Sequence, residues 1–328
     1  MNELVVAAFA AETGTHVVRE PRQARFAAFR RRFDGRAYAA SLAASGLRFL
    51  ARSDPAFPPL LRAIHDPPVG LFLRGEAGPE LVSRPAVAIV GARACSPYGS
   101  QVARMLGREL AGAGLVVVSG LARGVDGEAH RGALEAGGAT VAVLGCGIDR
   151  DYPAAHRELA RQIGESGLVV SEYAPGVEPA PWRFPARNRI IAGLTAATVV
   201  VEAREASGAL ITADLALEEG REVFACPGEI TSALSAGSNA LLRLGATPLT
   251  SAQDVLETFG IEAAAAHQVE LAGAAQAVLV RLRDAAGSAD ELARATELDA
   301  AELAVALSEL ELAGLAVQAD GVYRAVSH

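Results

Sequence analysis

The chain has 328 residues, 51% of them hydrophobic and 21% charged, the composition of a folded globular protein rather than a disordered one. Its net charge is −8, and all 30 basic residues are arginine. That balance excludes nucleic-acid binding by overall attraction. The missing lysines exclude a Schiff base and a P-loop, with the reaction classes built on them.

Residues 1–54 are rich in Ala and Arg and suggest a small helical domain. They hold the basic run ARFAAFRRRFDGR and carry +4, nine Arg against five Asp and Glu. The opening MNELVVAAFAAETGTH lacks the basic n-region of a signal peptide. No apolar stretch approaches about 18 residues without a charge, so a cytoplasmic protein is expected. Residues 55–84 read as a proline-rich connector ending in a short leading strand.

From Pro85 the pattern changes to apolar runs alternating with helical stretches. Strands are expected at AVAIV (86–90), LVVVS (115–119), TVAVLG (140–145), LVVSE (168–172), ATVVVEA (197–203) and EVFACP (222–227). They are β-branched and apolar on both faces, as strands covered on both sides must be. The alternation predicts a Rossmann-like α/β domain over 85–260, a doubly wound and mainly parallel sheet. A linker follows over 261–267, in the stretch EAAAAHQ. Residues 268–328 read as three helices and a hairpin, LAVQADGVYRAV, with Asp320-Gly321 at its turn. That is the winged-helix arrangement, here carrying −6.

Ligands of an open α/β sheet bind beyond the carboxyl ends of its strands, and the distinctive residues fall there. Gly91 and Arg93 follow the first strand; Ser119, Gly120, Arg123, Gly124 and Asp126 follow the second. Glycines let a backbone approach an anion, and amides at a helix start can bind phosphate. The spacing is not GxGxxG, so no dinucleotide cofactor is expected. In WRFPARNRIIAGL, Trp182 and Phe184 offer stacking faces, Arg187 and Arg189 planar forks for phosphate, and Asn188 a base-edge contact or a loop brace. Taken singly, these arginines can instead pair with Glu172, Glu178 or Glu202; as a set they favour phosphate. Ser207-Gly208 opens a further helix and a further anion site.

Catalytic and metal chemistry find little support. Asp126 and His130 lie four apart and share a helical face, a spacing for acid–base work, but an N-cap and a packed ring explain them better. Cys95, Cys146 and Cys226 are few and far apart and read as buried thiols. No histidine spacing matches a metal site, so neither metal nor cofactor is expected.

GARACSPYG, SGLARGVDGEAHRGAL, Tyr152-Pro153, SEYAPG, FPARNRIIAGL, VVVEAREASGALITA, CPG and GSNALLRLGA occur in order between Phe57 and Phe259. Together they resemble the DNA-processing protein A family, DprA/Smf. The resemblance implies an extended Rossmann-like domain that binds and protects single-stranded DNA in natural transformation and loads a RecA-type recombinase, without catalytic turnover. It places the DNA pocket at Arg93, Gly120, Arg123, Gly124, Phe184, Arg187, Asn188 and Arg189. Some family members use a lysine there, which this chain lacks. The resemblance also implies a homodimer through the end of that domain, with Asn239, Leu241, Leu242 and Leu249 as candidates. The N-terminal block resembles the family's SAM-like domain only loosely. Nucleotide phosphoribohydrolases share this Rossmann variant, but their PGGxGT turn is replaced here by EASGALIT. A nucleotide sensor acting through the winged helix is the third alternative.

Overall fold

The computed structural model describes residues 2–14, 20–261, 271, 273–319 and 321–325. The expected linker beyond Ile261, and Asp320 of the expected hairpin turn, lie outside the described residues. The chain divides into two compact units, Met1–Glu262 and Ala263–His328.

In the first unit the elements run α1 (Asn2–Thr13), α2 (Ala24–Arg32), α3 (Gly35–Ala44), β1 (Leu47–Ala51), α4 (Pro59–Arg62), β2 (Gly70–Arg74), β3 (Ala86–Val90), α5 (Pro97–Gly112), β4 (Val116–Ser119), α6 (Val125–Glu135) and β5 (Thr140–Val143). They continue with α7 (Arg157–Ser166), β6 (Leu168–Ser171), α8 (Arg183–Leu194), β7 (Ala197–Val200), α9 (Gly208–Glu218), β8 (Glu222–Ala225), α10 (Ala236–Arg243), β9 (Thr247–Pro248) and α11 (Ala252–Thr258). Every expected strand is present, within a nine-stranded sheet of order β1-β2-β6-β5-β4-β3-β7-β8-β9. From β6 to β9 the pairing is parallel, while β1–β2 and β2–β6 are antiparallel.

Strand alternation divides the core between the two faces. Val116, Val118, Val141 and Val143 pack against Leu61 of α4 and Ile190 and Ile191 of α8. On the opposite face Val87, Ile89 and Val117 meet Leu106 and Leu110 of α5, and Ala129 and Ala133 of α6. The helix starts obey local chemistry: Ser96 Oγ accepts from Gly99 N at 3.0 Å, and Ser207 Oγ accepts from Ala209 N at 3.3 Å.

The 1–54 block differs from expectation. Leu47–Ala51 form the edge strand β1, in register with β2 from Leu47 opposite Arg74 to Ala51 opposite Gly70. Arg48 disguises the strand: its side chain reaches off the edge to donate to the carbonyls of Gly75 and Ala77, each at 2.7 Å. The preceding helices are not a free-standing module either. Phe9, Phe26 and Phe29 are buried in one cluster with Phe72, Leu144 and Ile163.

The chain builds β3 to β6 outward in one direction, then returns to lay β7 on the other side of β3. The switch point between β3 and β7 is where a crevice opens at the carboxyl edge. The second unit contains α12 (Ala274–Asp284), β10 (Gly287–Ser288), α13 (Ala289–Thr296), α14 (Ala300–Leu312), β11 (Ala316–Ala319) and β12 (Val322–Ala325). Three helices and a sheet of order β10-β12-β11 make the expected winged helix.

Phe9 meets Phe26 and Phe29 edge-on at 5.1 and 5.4 Å. Phe9→Ala is expected to cost about 3–5 kcal/mol and to lower the urea midpoint of the whole first unit. A separate early transition for residues 1–46, with the sheet unaffected, would show instead that the helices are independent.

Candidate nucleic-acid interface

At the switch point lies a pocket of about 200 Å³, lined by Val90, Gly91, Arg93, Ala122, Asp126, Phe184, Pro185, Arg187, Asn188, Ile191, Ser207, Gly208, Ala209 and Thr212. This is smaller than the ~300–1,000 Å³ of drug-sized ligand sites and suits one portion of a nucleotide. Phe184, Arg187, Asn188 and Ile191 follow the i, i+3, i+4, i+7 rule, so one stripe of α8 forms a wall. The first turn of α9 forms another. Of the expected binding residues, Gly91, Arg93, Phe184, Arg187, Asn188, Ser207 and Gly208 meet here; Ser119, Gly120, Arg123, Gly124 and Arg189 are outside the lining.

The two arginines of the RNR motif turn out to be cross-braces. Arg187 is buried and donates through Nη1 to the Gly120 carbonyl at 2.9 Å and to the Val143 carbonyl, tying α8 to the ends of β4 and β5. Burial pushes its pKa down to about 10, against the pull of the Asp126 carboxylate, so it remains cationic at neutral pH. Arg189 points off the pocket stripe. It grips Glu172 with two bonds of 2.7 and 2.6 Å and donates to the Asp66 carbonyl at 2.9 Å. Arg189, one position past Asn188 on α8, is thus turned off the pocket-lining face and held by a carboxylate. Glu178 pairs with Arg150 at 2.6 Å, and Glu202 accepts from Ser96 N at 2.9 Å.

Several expected anion contacts also serve the scaffold. Ser119 is fully buried and donates to the Ile89 carbonyl at 2.7 Å. A Cβ on Gly120 would lie 2.6 Å from Arg187 Nη2, so this glycine makes room for the guanidinium. Gly124 has φ +72°, and a Cβ there would stand 2.3 Å from the Ala92 carbonyl oxygen. Gly124, not Asp126, occupies the N-cap of α6. Asp126 sits in the first turn and accepts from Gly120 N at 3.1 Å and Ala122 N at 3.3 Å, folding the turn after β4 back on itself. Burial raises its pKa, with Arg187 opposing. Asn188 braces α9, donating to the Gly208 carbonyl at 3.0 Å.

Arginines of the turns after β3 and β4 face solvent around the pocket. Arg93 and Arg123 are exposed, and among the described residues neither has a carboxylate partner. The Arg93 guanidinium lies 5.6 Å from the centre of the half-buried Phe184 ring. Phe184 is in turn stacked on Tyr152 at 5.3 Å. Trp182, two residues earlier, turns away from this group toward the Arg183 guanidinium at 4.9 Å and the Tyr173 ring at 6.5 Å. Of the two aromatic residues expected to stack bases, only Phe184 lies at the pocket.

His130 is buried and donates through Nδ1 to Thr140 Oγ1 at 2.7 Å, because that hydroxyl spends its own proton on the Val117 carbonyl. Its Nε2 is buried without a partner, and burial, then the nearby His156, Arg131 and Arg187, push its pKa down to about 3. It is a packed ring and not a proton shuttle. Cys146 and Cys226 are buried, their thiols pushed up to about 11 and about 12 by desolvation; Cys95 is half-buried. Among the described residues no His, Cys, Asp or Glu cluster has the arrangement to hold a metal, and no helix is long and apolar enough to cross a membrane.

The expected dimer residues mostly face inward. Leu241 and Leu249 are core residues at 4% and 5% exposure, in the clusters on the two faces of the sheet, and Leu242 is half-buried against the cluster of Leu241. Asn239 brackets Gly228, accepting from its N at 3.2 Å and donating to its carbonyl at 3.0 Å. On the same edge Leu244 is 84% exposed and β9 lies open.

The family model for DNA recombination-mediator protein A matches residues 48–260, and that for the DprA winged helix domain matches residues 262–321. The chain belongs to the DprA/Smf family. It is 48% identical over 206 residues to the DNA processing protein DprA of Streptococcus pneumoniae, covering 63% of this chain and 72% of that one. It is 38% identical over 279 residues to protein Smf of Escherichia coli, covering 81% and 74%. The solved structure of S. pneumoniae DprA aligns with a TM-score of 0.66 and 39% identity, over 80% of this chain and 93% of that one. The Helicobacter pylori DprA structure, described for its single-stranded DNA binding mode, aligns with a TM-score of 0.59 and 32% identity, over 65% and 95%. The motifs that carry the DprA/Smf resemblance thus converge, in three dimensions, on the carboxyl edge of the sheet.

Two outcomes follow from this geometry. Arg189→Ala removes both charge-assisted bonds to the Glu172 carboxylate, so it is expected to destabilise the fold by about 3–5 kcal/mol in urea melts while leaving the pocket lining in place. For His130, the unfolded ring binds a proton near pH 6.5 but the folded ring only near pH 3. Stability is therefore complete above about 6.5 and is lost as the pH falls toward about 3. A His130→Asn variant should show a shallower acid-side decline than the parent when urea midpoints are compared.

Proposed function

We infer that this chain binds single-stranded DNA at the switch-point pocket, protects it without converting it chemically, and hands it to a RecA-type recombinase during natural transformation or recombination. The observation that carries the reading is a pair of uncommitted guanidinium groups, Arg93 and Arg123, in the turns that follow β3 and β4. Beside them Phe184 offers an aromatic ring at the pocket wall. A single strand presents what these groups fit: phosphates for the forks and an unpaired base for the ring. The H. pylori relative described for its single-stranded DNA binding mode supports the same assignment.

Binding without turnover accords with the chemistry of the pocket. Its carboxylate, Asp126, is spent on two loop amides and faces Arg187, so it is poorly placed to act as a general base. The PGGxGT turn of the phosphoribohydrolases is replaced here by EASGALIT, whose Ser207 and Gly208 line the pocket.

Two further assignments belong to this reading. The homodimer is assigned to the open β9 edge, with Leu244 as its apolar contact in place of Leu241 and Leu249. The winged helix is assigned to a protein partner, because α14 exposes Glu302, Glu309 and Glu311 beside Val305 and Leu312 and would be repelled by phosphate.

Arg93→Ala is expected to weaken oligo-dT binding in an anisotropy titration, and to flatten the slope of log affinity against log salt by about 0.7, the value of one neutralised contact on a single strand. Unchanged affinity in an Arg93→Ala, Arg123→Ala double variant refutes the pocket. Release of free nucleobase from any oligonucleotide refutes binding without turnover.

A further inference from the structure

Three aromatic side chains of the first unit are strongly exposed: Tyr98 at 52%, Tyr152 at 43% and Trp182 at 46%. All three lie on loops or helix starts that follow strands β3, β5 and β6, at the carboxyl edge of the sheet. An exposed aromatic ring forfeits the burial that ordinarily stabilises it, so three at one edge mark a surface that meets something flat and apolar.

Their surroundings separate them. Trp182 already has the Arg183 guanidinium on its ring and the Tyr173 ring beside it. Tyr98 lies near the buried Glu202 and Cys226, which with burial raise its pKa, an environment that disfavours an approaching phosphate. Tyr152 alone is joined to the pocket. Its ring is stacked on Phe184 with centroids 5.3 Å apart and planes inclined by 27°, and Phe184 carries Arg93 at 5.6 Å. The Tyr152 backbone is held from the preceding residue, where Asp151 pairs with Arg74 at 2.8 Å. Tyr152 itself lines no part of the pocket.

We propose that Tyr152 is a second base-stacking platform, one nucleotide beyond the pocket, so that Arg93, Phe184 and Tyr152 form a continuous track for an unpaired strand. The assignment rests on the single-strand reading of the pocket and extends it. At 5.3 Å the two rings are already in contact, within the ~4.5–7 Å range of aromatic pairs, so no base fits between them. A base must therefore land on the outer face of Tyr152, while its neighbour in the strand occupies the pocket. The track is blind to sequence, because every base has a π-face. It demands single strands, because a paired base cannot turn its face to a protein ring.

The test compares Tyr152→Phe, Tyr152→Leu and Tyr152→Ala with the parent chain, using anisotropy with labelled oligo-dT long enough to span both positions and competition with thymidine monophosphate. The leucine variant keeps apolar support under Phe184 but removes the ring. Leucine and alanine are expected to lose on the order of five- to 150-fold in affinity for the long strand, the effect of about 1–3 kcal/mol per stacked base. Phenylalanine is expected to stay within about twofold, and competition by the mononucleotide is expected to be the same in all four proteins. Parent-like binding of the long strand by Tyr152→Leu overturns the platform and leaves the pocket intact. An equal loss for the mononucleotide also overturns it, since Tyr152 would then act only by propping Phe184. Failure of the parent chain to bind oligo-dT at low salt overturns the pocket, and the platform with it.

Discussion

Arg187 reaches from α8 across the ends of two parallel strands, donating to the carbonyls of Gly120 and Val143 with the Asp126 carboxylate beside it. Asp126 in turn holds the amides of Gly120 and Ala122. These two neighbouring buried side chains thus set the position of α8, of the turn after β4 and of the first turn of α6. The remainder of the pocket is built on those three. In a low-dielectric interior such a pair persists only when the remaining donors and acceptors are satisfied, and here strand-end carbonyls and loop amides satisfy them. The glycine at 120 is part of the same arrangement, because any side chain would occupy the volume of the guanidinium.

A division of labour among arginines follows. Those on α8 are committed: Arg183 to the Glu178 carbonyl, Arg187 to strand ends, Arg189 to Glu172 and Asp66. Arg93 and Arg123, without a carboxylate partner among the described residues, stand on the turns after β3 and β4. A helix packed on a sheet projects its long side chains into neighbouring structure, where fixed charge must find partners. A turn at the sheet edge projects them into water, where a charge remains available. The arginine-rich helix start therefore shapes the site, and the arginines of the glycine-rich turns present their charge to solvent.

On a protein of net charge −8, this local arrangement gives selectivity that a broad basic face would not. In the proposed single-strand reading, counter-ion release from a few phosphates supplies attraction, and aromatic rings supply the preference for unpaired bases. The acidic second unit adds no electrostatic pull toward phosphate.

The alternation of β-branched runs with helical stretches was enough to specify a doubly wound parallel sheet, because strands covered on both faces have no other composition. The winged helix was legible for a similar reason, in three amphipathic segments followed by a hairpin. The α8 stripe of Phe184, Arg187, Asn188 and Ile191 was equally readable as one helical face. The sequence was silent where partners come from distant segments. It did not distinguish the bracing Arg187 from the exposed Arg93, since that depends on which carbonyls the fold brings within 3 Å. It did not reveal β1, whose arginine finds its acceptors 27 and 29 residues away. Nor did it join Tyr152 to Phe184, whose rings stack only because the loop after β5 and the start of α8 meet at the same edge of the sheet. Local periodicity is written in neighbouring residues, whereas the partners of a charge or an aromatic ring are chosen by the packing of the whole unit.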